Sequence, residues 1–186
     1  MSKPKLGYLL FDLPSDHEIE GALATECKVI ESLIHNRGLK ARIKRVCVAS
    51  KERFSKYPTY RYRVQFVHLA CHGGKKGIGL LDGEMLWADV AKQITRHLHP
   101  LAAGRQRIMI FSCCHSKDGF DATKSELAPY FSGAYHFRAE SIAFSKAITT
   151  WTMFYLKKKI ENPHEAIVDP INNFIDEEVL VFRSYE

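Results

Sequence analysis

The sequence predicts an α/β protein in which a mostly parallel β-sheet carries helices on both faces. Short apolar runs alternate with stretches whose apolar residues recur every three or four positions. Strands separated by helices need right-handed crossovers, which give a parallel sheet covered on both sides. The 186 residues are 46% apolar and 26% charged, which excludes a disordered chain. We expect residues 1–186 to form a single domain with its own core.

Six apolar runs predict the strands of the sheet. The third run is apolar enough to be central, whereas the second carries more polar residues and is expected near an edge. In chain order the predicted strands are 6–11, 41–48, 64–70, 107–112, 134–137 and 179–182. A hairpin is also expected at 78–87, with Asp82-Gly83 as its two-residue turn.

Helices are predicted between most of these strands. The first follows a capping-box pattern at Ser15-Asp16-His17-Glu18, buries one apolar face and stops near Gly38. Further helices are expected at 88–98, at 141–159 and at 163–175, the last interrupted by Pro170. The segment 117–132 is expected to be a polar loop.

The positive charge is concentrated in one segment. Between Lys40 and Arg63 there are nine basic residues and one acid, whereas the net charge of the whole chain is only +6. Aromatic residues interleave with these charges and are able to stack on bases. A solvated face explains the same pattern, and so does a surface that docks an acidic partner or substrate. Because the charge is so local, we expect no nucleic-acid partner.

The cysteines indicate free thiols. There are five cysteines, an odd number, and two of them are adjacent, which makes a poor disulfide framework. The sequence shows no signal-peptide pattern and no run of about 18 apolar residues. We therefore expect a cytoplasmic protein without a membrane anchor.

Residues suited to chemistry follow two of the predicted strands. In open α/β sheets, sites form beyond the carboxyl ends of the strands. The third strand runs into Cys71-His72-Gly73, and the fourth runs into Cys113-Cys114. If the strands are neighbours, His72 faces a cysteine, and an imidazole beside a thiol favours the nucleophilic thiolate. Gly73 permits close backbone approach, and its amide is suited to hold an oxyanion.

Sequence leaves the choice of cysteine open, because side chains alternate along a strand and only one of the two thiols can face the cleft. A zinc site is an alternative, since residues of the right type are available at 68, 71, 72, 113, 114 and 115. No Cys-x-x-Cys pair accompanies them, and we expect no metal and no cofactor. His68, inside the third strand, is expected to be a core histidine.

Two motifs resemble those of the caspase-like (clan CD) cysteine peptidases. Residues 67–73, Val-His-Leu-Ala-Cys-His-Gly, are similar to the family's strand with a His-Gly end, and residues 108–116 are similar to the strand that ends in the nucleophile. Forty-two residues separate His72 from Cys114, near the spacing of about 50 in caspases. The Leu-Leu-Asp-Gly run at 80–83 resembles the CHAT group, and Cys-His-Ser at 114–116 resembles metacaspases.

This resemblance covers roughly residues 5–182 and implies both a fold and an activity. The implied fold is a caspase-like three-layer α/β/α sandwich with a six-stranded sheet of order 2-1-3-4-5-6 and an antiparallel last strand. The implied activity is cleavage of a peptide bond through a thioester. Cys114 is the implied nucleophile and His72 the general acid–base. The backbone amides of Gly73 and Cys114 form the implied oxyanion hole.

The chain also departs from the family's patterns. Metacaspases carry an aspartate two residues before the nucleophile, where this chain has Ser112, so specificity for a basic residue is not supported. Ser112 and Arg138, just past the fifth strand, are the candidate substrate-binding residues.

The sequence and this resemblance together predict a cysteine endopeptidase acting on a protein or peptide. The resemblance to CHAT-type proteins further implies a role as one component of a prokaryotic defence or cell-death cascade. We expect control by a regulatory partner or an upstream activator, and either a monomer or a homodimer paired through the edge strand. The alternative is a catalytically silent scaffold or regulatory binding partner with the same fold.

Overall fold

The computed structural model describes residues 7–14, 17–36, 42–56, 64–96, 98–157 and 163–185. Its strands are β1 (Gly7–Leu13), β2 (Arg42–Cys47), β3 (Phe66–Gly73), β4 (Gly77–Leu80), β5 (Gly83–Leu86), β6 (Ile108–Ser112), β7 (Gly133–Phe137) and β8 (Leu180–Ser184). The main sheet has the order β2-β1-β3-β6-β7-β8. Only β8 runs antiparallel to its neighbour in this sheet. The predicted order and the antiparallel last strand are confirmed, as are the central β3 and the edge strand β2.

The predicted hairpin exists, but its turn lies one residue earlier than expected. β4 and β5 pair with Leu80 opposite Gly83, so the turn is Leu81-Asp82. Gly83 is the first residue of β5, and its φ of 109° is a conformation that favours glycine. A tertiary contact explains the shift, because the Asp82 carboxylate accepts a hydrogen bond from the Lys51 amide at 2.9 Å.

Helices cover both faces of the sheet and bury two separate cores. The helices are α1 (His17–Asn36), α2 (Lys51–Lys56), α3 (Trp87–Thr95), α4 (Ser116–Leu127), α5 (Phe144–Lys157) and α6 (Glu165–Ile175). Apolar residues of α2, α3 and α4 pack in one core, and those of α1, α5 and α6 pack in the other. The three-layer prediction is therefore confirmed. The predicted cap at residues 15–16 and the stop at residue 38 lie outside the described residues.

The expectation of a polar loop at 117–132 was wrong, because most of this segment forms α4. The large apolar residues of α4, Phe120 and Leu127, are buried, as is Thr123. These three positions share one helical face. At Gly119 an added Cβ would lie 3.0 Å from the Trp87 ring. The missing side chain thus lets α4 approach α3 closely, a contact that a hydrophobic pattern does not reveal.

A buried hydrogen bond ties α1 to the central strand. The Glu26 carboxylate and His68 Nε2 lie 2.7 Å apart, and both side chains are almost fully buried. The Tyr155 hydroxyl of α5 lies 3.2 Å from His68 Nδ1. His68 is therefore a satisfied core histidine, as the sequence predicts.

In the described part of the basic segment, Arg45 and Lys51 contact other elements of the fold. Arg45 forms an ion pair with buried Asp12 of β1, and Lys56 pairs with Glu52. The Lys51 Nζ donates to the Glu84 carbonyl of the hairpin at 3.3 Å. Residues 57–63, which carry the interleaved tyrosines, lie outside the described residues. Within the described ranges, no helix is long and apolar enough to cross a membrane.

The substitution Glu26→Ala is expected to destabilise the protein by about 2 kcal/mol, because it leaves the buried His68 Nε2 without a hydrogen-bond partner. Urea unfolding followed by circular dichroism measures this change. The matched control is Glu126→Ala on the exposed side of α4, which should change the free energy of unfolding by less than about 0.5 kcal/mol. Equal effects of the two substitutions would show that the buried pair contributes little.

Candidate active site

The two strands that carry the predicted motifs are direct neighbours. β3 and β6 pair in parallel with Ala70 opposite Ser112. His72 and Cys114 each follow this aligned pair by two residues. The neighbouring strands therefore bring both residues to the same edge of the sheet, as the sequence analysis expected for this pair.

Gly73 brings the two motifs into backbone contact. A Cβ added to this glycine would lie 2.0 Å from the Cys114 carbonyl oxygen and 3.1 Å from the Cys113 Sγ. Real Cβ atoms do not approach a backbone oxygen so closely, so position 73 requires glycine in this arrangement. The requirement is for space rather than for an unusual backbone conformation.

The hairpin shapes the edge beside His72. His72 pairs with Gly79 of β4, and the Gly74 amide donates to the Gly77 carbonyl at 2.8 Å. The Trp87 indole donates to the Gly74 carbonyl at 3.0 Å and anchors this bend to α3. The His72 side chain is exposed. Within the described part of the chain, no ion pair or side-chain hydrogen bond engages its imidazole.

The adjacent cysteines have different environments. Cys113 is 3% exposed, and a hydrogen bond with Cys71 together with burial raises the pKa of its thiol. A buried thiol of this kind stays protonated and unreactive. Cys114 is half-buried and its Sγ lies 3.9 Å from the Ser141 Oγ. Cys114 is thus the more accessible thiol of the two.

A strained residue follows Cys114. His115 has a φ of 52°, in the left-handed region that non-glycine residues rarely adopt. Its amide donates to the Glu140 carbonyl at 2.6 Å, and its Nδ1 lies 3.0 Å from the Asp118 carboxylate. These contacts hold the sharp turn between β6 and α4, and strain of this kind clusters at functional sites.

Helix α4 begins two residues after Cys114 and is 12 residues long. The amides of the first helical turn carry a partial positive charge. The turn at His115 sets Cys114 at the end of a strand and just before this helix.

The two candidate substrate-binding residues occupy different environments. Ser112 is 3% exposed, and its Oγ accepts a hydrogen bond from the Trp151 indole at 2.6 Å. Arg138 is exposed, forms an ion pair with Glu178, and donates its amide to the Val179 carbonyl at 2.9 Å. Substrate binding by these residues stays a prediction, with Ser112 already engaged in a buried contact.

Sequence reasoning missed Glu140 and Ser141, which lie in the segment 138–143 between β7 and α5. No motif marks these residues, because their contacts with the turn after β6 form only when the chain folds. Sequence alone offered one weak signal, a short polar stretch directly after the predicted fifth strand.

The structure places residues that the zinc interpretation required on opposite faces of the sheet. His68 lies on the sheet face covered by α1 and α5, whereas Cys71 and Cys113 belong to the opposite core. In the described ranges, no three His, Cys, Asp or Glu side chains come together as a metal site would need.

Comparisons with known proteins establish the fold. No protein-family model matches the chain, and no curated protein does. Among solved structures, the chain is similar to a secreted C11 cysteine protease from Bacteroides thetaiotaomicron, iotapain, with a TM-score of 0.63 and 11% identity. The match covers 99% of this chain and 67% of that protein. The chain has a caspase-like fold. At this identity the likeness concerns the fold alone.

The environments of the thiols predict their order of alkylation. In the native protein, iodoacetamide should modify Cys114 and exposed Cys47 at least about tenfold faster than buried Cys113, because only accessible thiolates react. Mass spectrometry of the tryptic peptide 108–117 separates Cys113 from Cys114. The unfolded protein in urea is the control and should lose this difference. Modification of Cys113 first, in the native protein, would contradict the arrangement described.

Proposed function

We propose that the protein is a cysteine endopeptidase in which Cys114 and His72 form a catalytic dyad. The observation that carries the proposal is the backbone contact of Gly73 with Cys114, which brings the ends of the two motif strands together. The fold supports the proposal, because a structure with the same fold is that of a cysteine protease. The accessible thiol and the exposed imidazole lie at the edge where α/β sheets carry their sites.

In the first half of the reaction, the Cys114 thiolate attacks the carbonyl carbon of the scissile peptide bond. The resulting tetrahedral intermediate collapses with cleavage of the C–N bond. The His72 imidazolium transfers its proton to the departing nitrogen, and the amine product leaves. The acyl group remains on Cys114 as a thioester.

In the second half, a water molecule hydrolyses the thioester. His72, now neutral, accepts a proton from the water as its oxygen attacks the thioester carbonyl. The C–S bond breaks, the carboxylic acid product leaves, and Cys114 returns to the thiolate with His72 protonated. Protons and electrons balance over the cycle, so the reaction needs no cofactor.

The backbone amides of Gly73 and Cys114 are proposed to stabilise the oxyanion of both tetrahedral intermediates. The Cys114 amide supports this role, because it donates to no backbone acceptor among the residues that the structure describes. A free amide next to the nucleophile costs no existing bond when it engages the oxyanion.

The proposed substrate is a protein or peptide. Arg138 and Ser112 remain the candidate substrate-binding residues, with Arg138 the more accessible. The resemblance to CHAT and metacaspase proteins supports a role in a prokaryotic defence or cell-death cascade, under an activator or regulatory partner. A homodimer would pair through β8, an edge strand of the sheet.

The first test is the intact mass of the protein after incubation with peptide acyloxymethyl ketones that carry Arg, Lys, Asp or Leu beside the reactive group. We expect a single adduct that disappears in Cys114→Ala and persists in Cys113→Ala. His72→Ala should slow its formation by about 10²-fold or more, the usual contribution of a general acid–base.

The alternatives give different patterns in the same experiment. An adduct lost only in Cys113→Ala would move the nucleophile by one residue and overturn the assignment. The absence of any adduct, also after addition of candidate activators, would favour the silent scaffold.

Gly73→Ala tests the backbone contact directly. The added Cβ must displace the Cys114 carbonyl by about 1 Å, and a displacement of this size costs about 10²-fold in reactions that depend on alignment. The rate of adduct formation measures the effect. Gly21→Ala in α1 is the matched control, because its Cβ meets nothing within 4 Å. Equal rates for the two variants would show that close approach at residue 73 has no role in reactivity.

A further inference from the structure

Ser141 contacts the sulfur of the proposed nucleophile. Its Oγ lies 3.9 Å from the Cys114 Sγ, within hydrogen-bonding range for sulfur. Among the residues that the structure describes, no other side chain forms a hydrogen bond with this thiol. We propose that Ser141 is a further catalytic residue, which donates a hydrogen bond to the Cys114 sulfur once that sulfur is charged. This inference rests on the proposed function, because it assumes that Cys114 is the nucleophile.

Ser141 is held in place by the residue beside it. The Glu140 carbonyl accepts the His115 amide at 2.6 Å. Two consecutive residues of the segment 138–143 therefore contact two consecutive residues of the turn after β6. These two contacts bring the Ser141 hydroxyl next to the sulfur at the surface of the protein.

The same segment is anchored on its far side. Arg138 donates its amide to the Val179 carbonyl at 2.9 Å and forms an ion pair with Glu178. Lys146, in the first turn of α5, pairs with Glu177 of the same α6–β8 turn. These contacts join the segment to the fold on both sides of Ser141.

The chemistry of the contact follows from the properties of the two groups. A hydroxyl donates one hydrogen bond, and a thiolate is a better acceptor than a thiol. A donor to the charged form favours that form. No bond to Ser141 forms or breaks, and the hydroxyl keeps its proton throughout. The 3.9 Å separation of oxygen and sulfur can shorten by a small rotation of the Ser141 side chain about its Cα–Cβ bond, as catalytic hydrogen bonds often shorten when the reacting form appears.

The effect of Ser141 on the Cys114 thiol must be distinguished from the effects of the charged groups nearby. They are His72 on β3, His115 and Asp118 at the start of α4, and Glu140 in the segment 138–143. A serine hydroxyl stays neutral over the working pH range. Its removal therefore shifts the pH dependence of Cys114 reactivity without adding or deleting a titrating group.

The experiment follows alkylation of Cys114 by iodoacetamide from about pH 5 to pH 9, without any peptide substrate. Wild type is compared with Ser141→Ala, with Ser141→Thr, which keeps the hydroxyl, and with Ser125→Ala, an exposed serine of α4. Mass spectrometry of tryptic peptides gives a rate for each cysteine, and exposed Cys47 serves as the internal reference.

Ser141→Ala should slow alkylation of Cys114 by about three- to tenfold on the acid side of the curve and move its midpoint to higher pH. Ser141→Thr should restore most of the wild-type rate, while Ser125→Ala and the Cys47 rate should not change. Loss of the hydroxyl removes a donor that favours the thiolate, which fixes the direction of the shift.

Two results would overturn the proposal. An unchanged curve in Ser141→Ala would show that the hydroxyl does not act on the sulfur. A slower rate at every pH with an unmoved midpoint would indicate a structural role only. Both results concern thiol reactivity, so they are distinct from failure of the proposed function, which the peptide probes decide separately.

Discussion

The contact between Gly73 and the Cys114 carbonyl is the constraint on which the rest of the site depends. Two backbone segments from different strands come so close that no side chain fits between them. This approach requires β3 and β6 to be neighbours, to run parallel and to end together. It also requires a glycine directly after the histidine. The backbones of the two strand ends meet, and His72 and Cys114 therefore lie at the same edge of the sheet.

The surrounding structure keeps that edge rigid. The Trp87 indole, at the start of α3, donates a hydrogen bond to the Gly74 carbonyl and so holds the bend after β3. The turn after β6 is held in a strained conformation by the Glu140 carbonyl and the start of α4. Below the edge, buried polar contacts such as the Glu26–His68 pair connect the sheet to its helices. Side chains carried by backbone that is held in this way lose little conformational freedom when a substrate binds.

Most of the fold was predictable, because strand order and layers follow from alternating patterns and crossover handedness together with the family resemblance. Segment 117–132 was missed because its helix buries only a few apolar residues among many polar ones, and its close contact with Trp87 depends on Gly119. The turn of the hairpin was displaced by one residue because the Asp82 carboxylate caps α2, a contact between segments about 30 residues apart.

The sequence by itself determined the α/β class, the order of the two motifs along the chain and the residue types able to make a nucleophile and its acid–base partner. These properties are local, since they depend on spacing, periodicity and side-chain chemistry. Only the tertiary structure decided that Cys113 is buried and Cys114 accessible, and that Ser141 lies beside the sulfur. Burial and proximity arise where separate segments meet, and no short stretch of sequence records which segments those are.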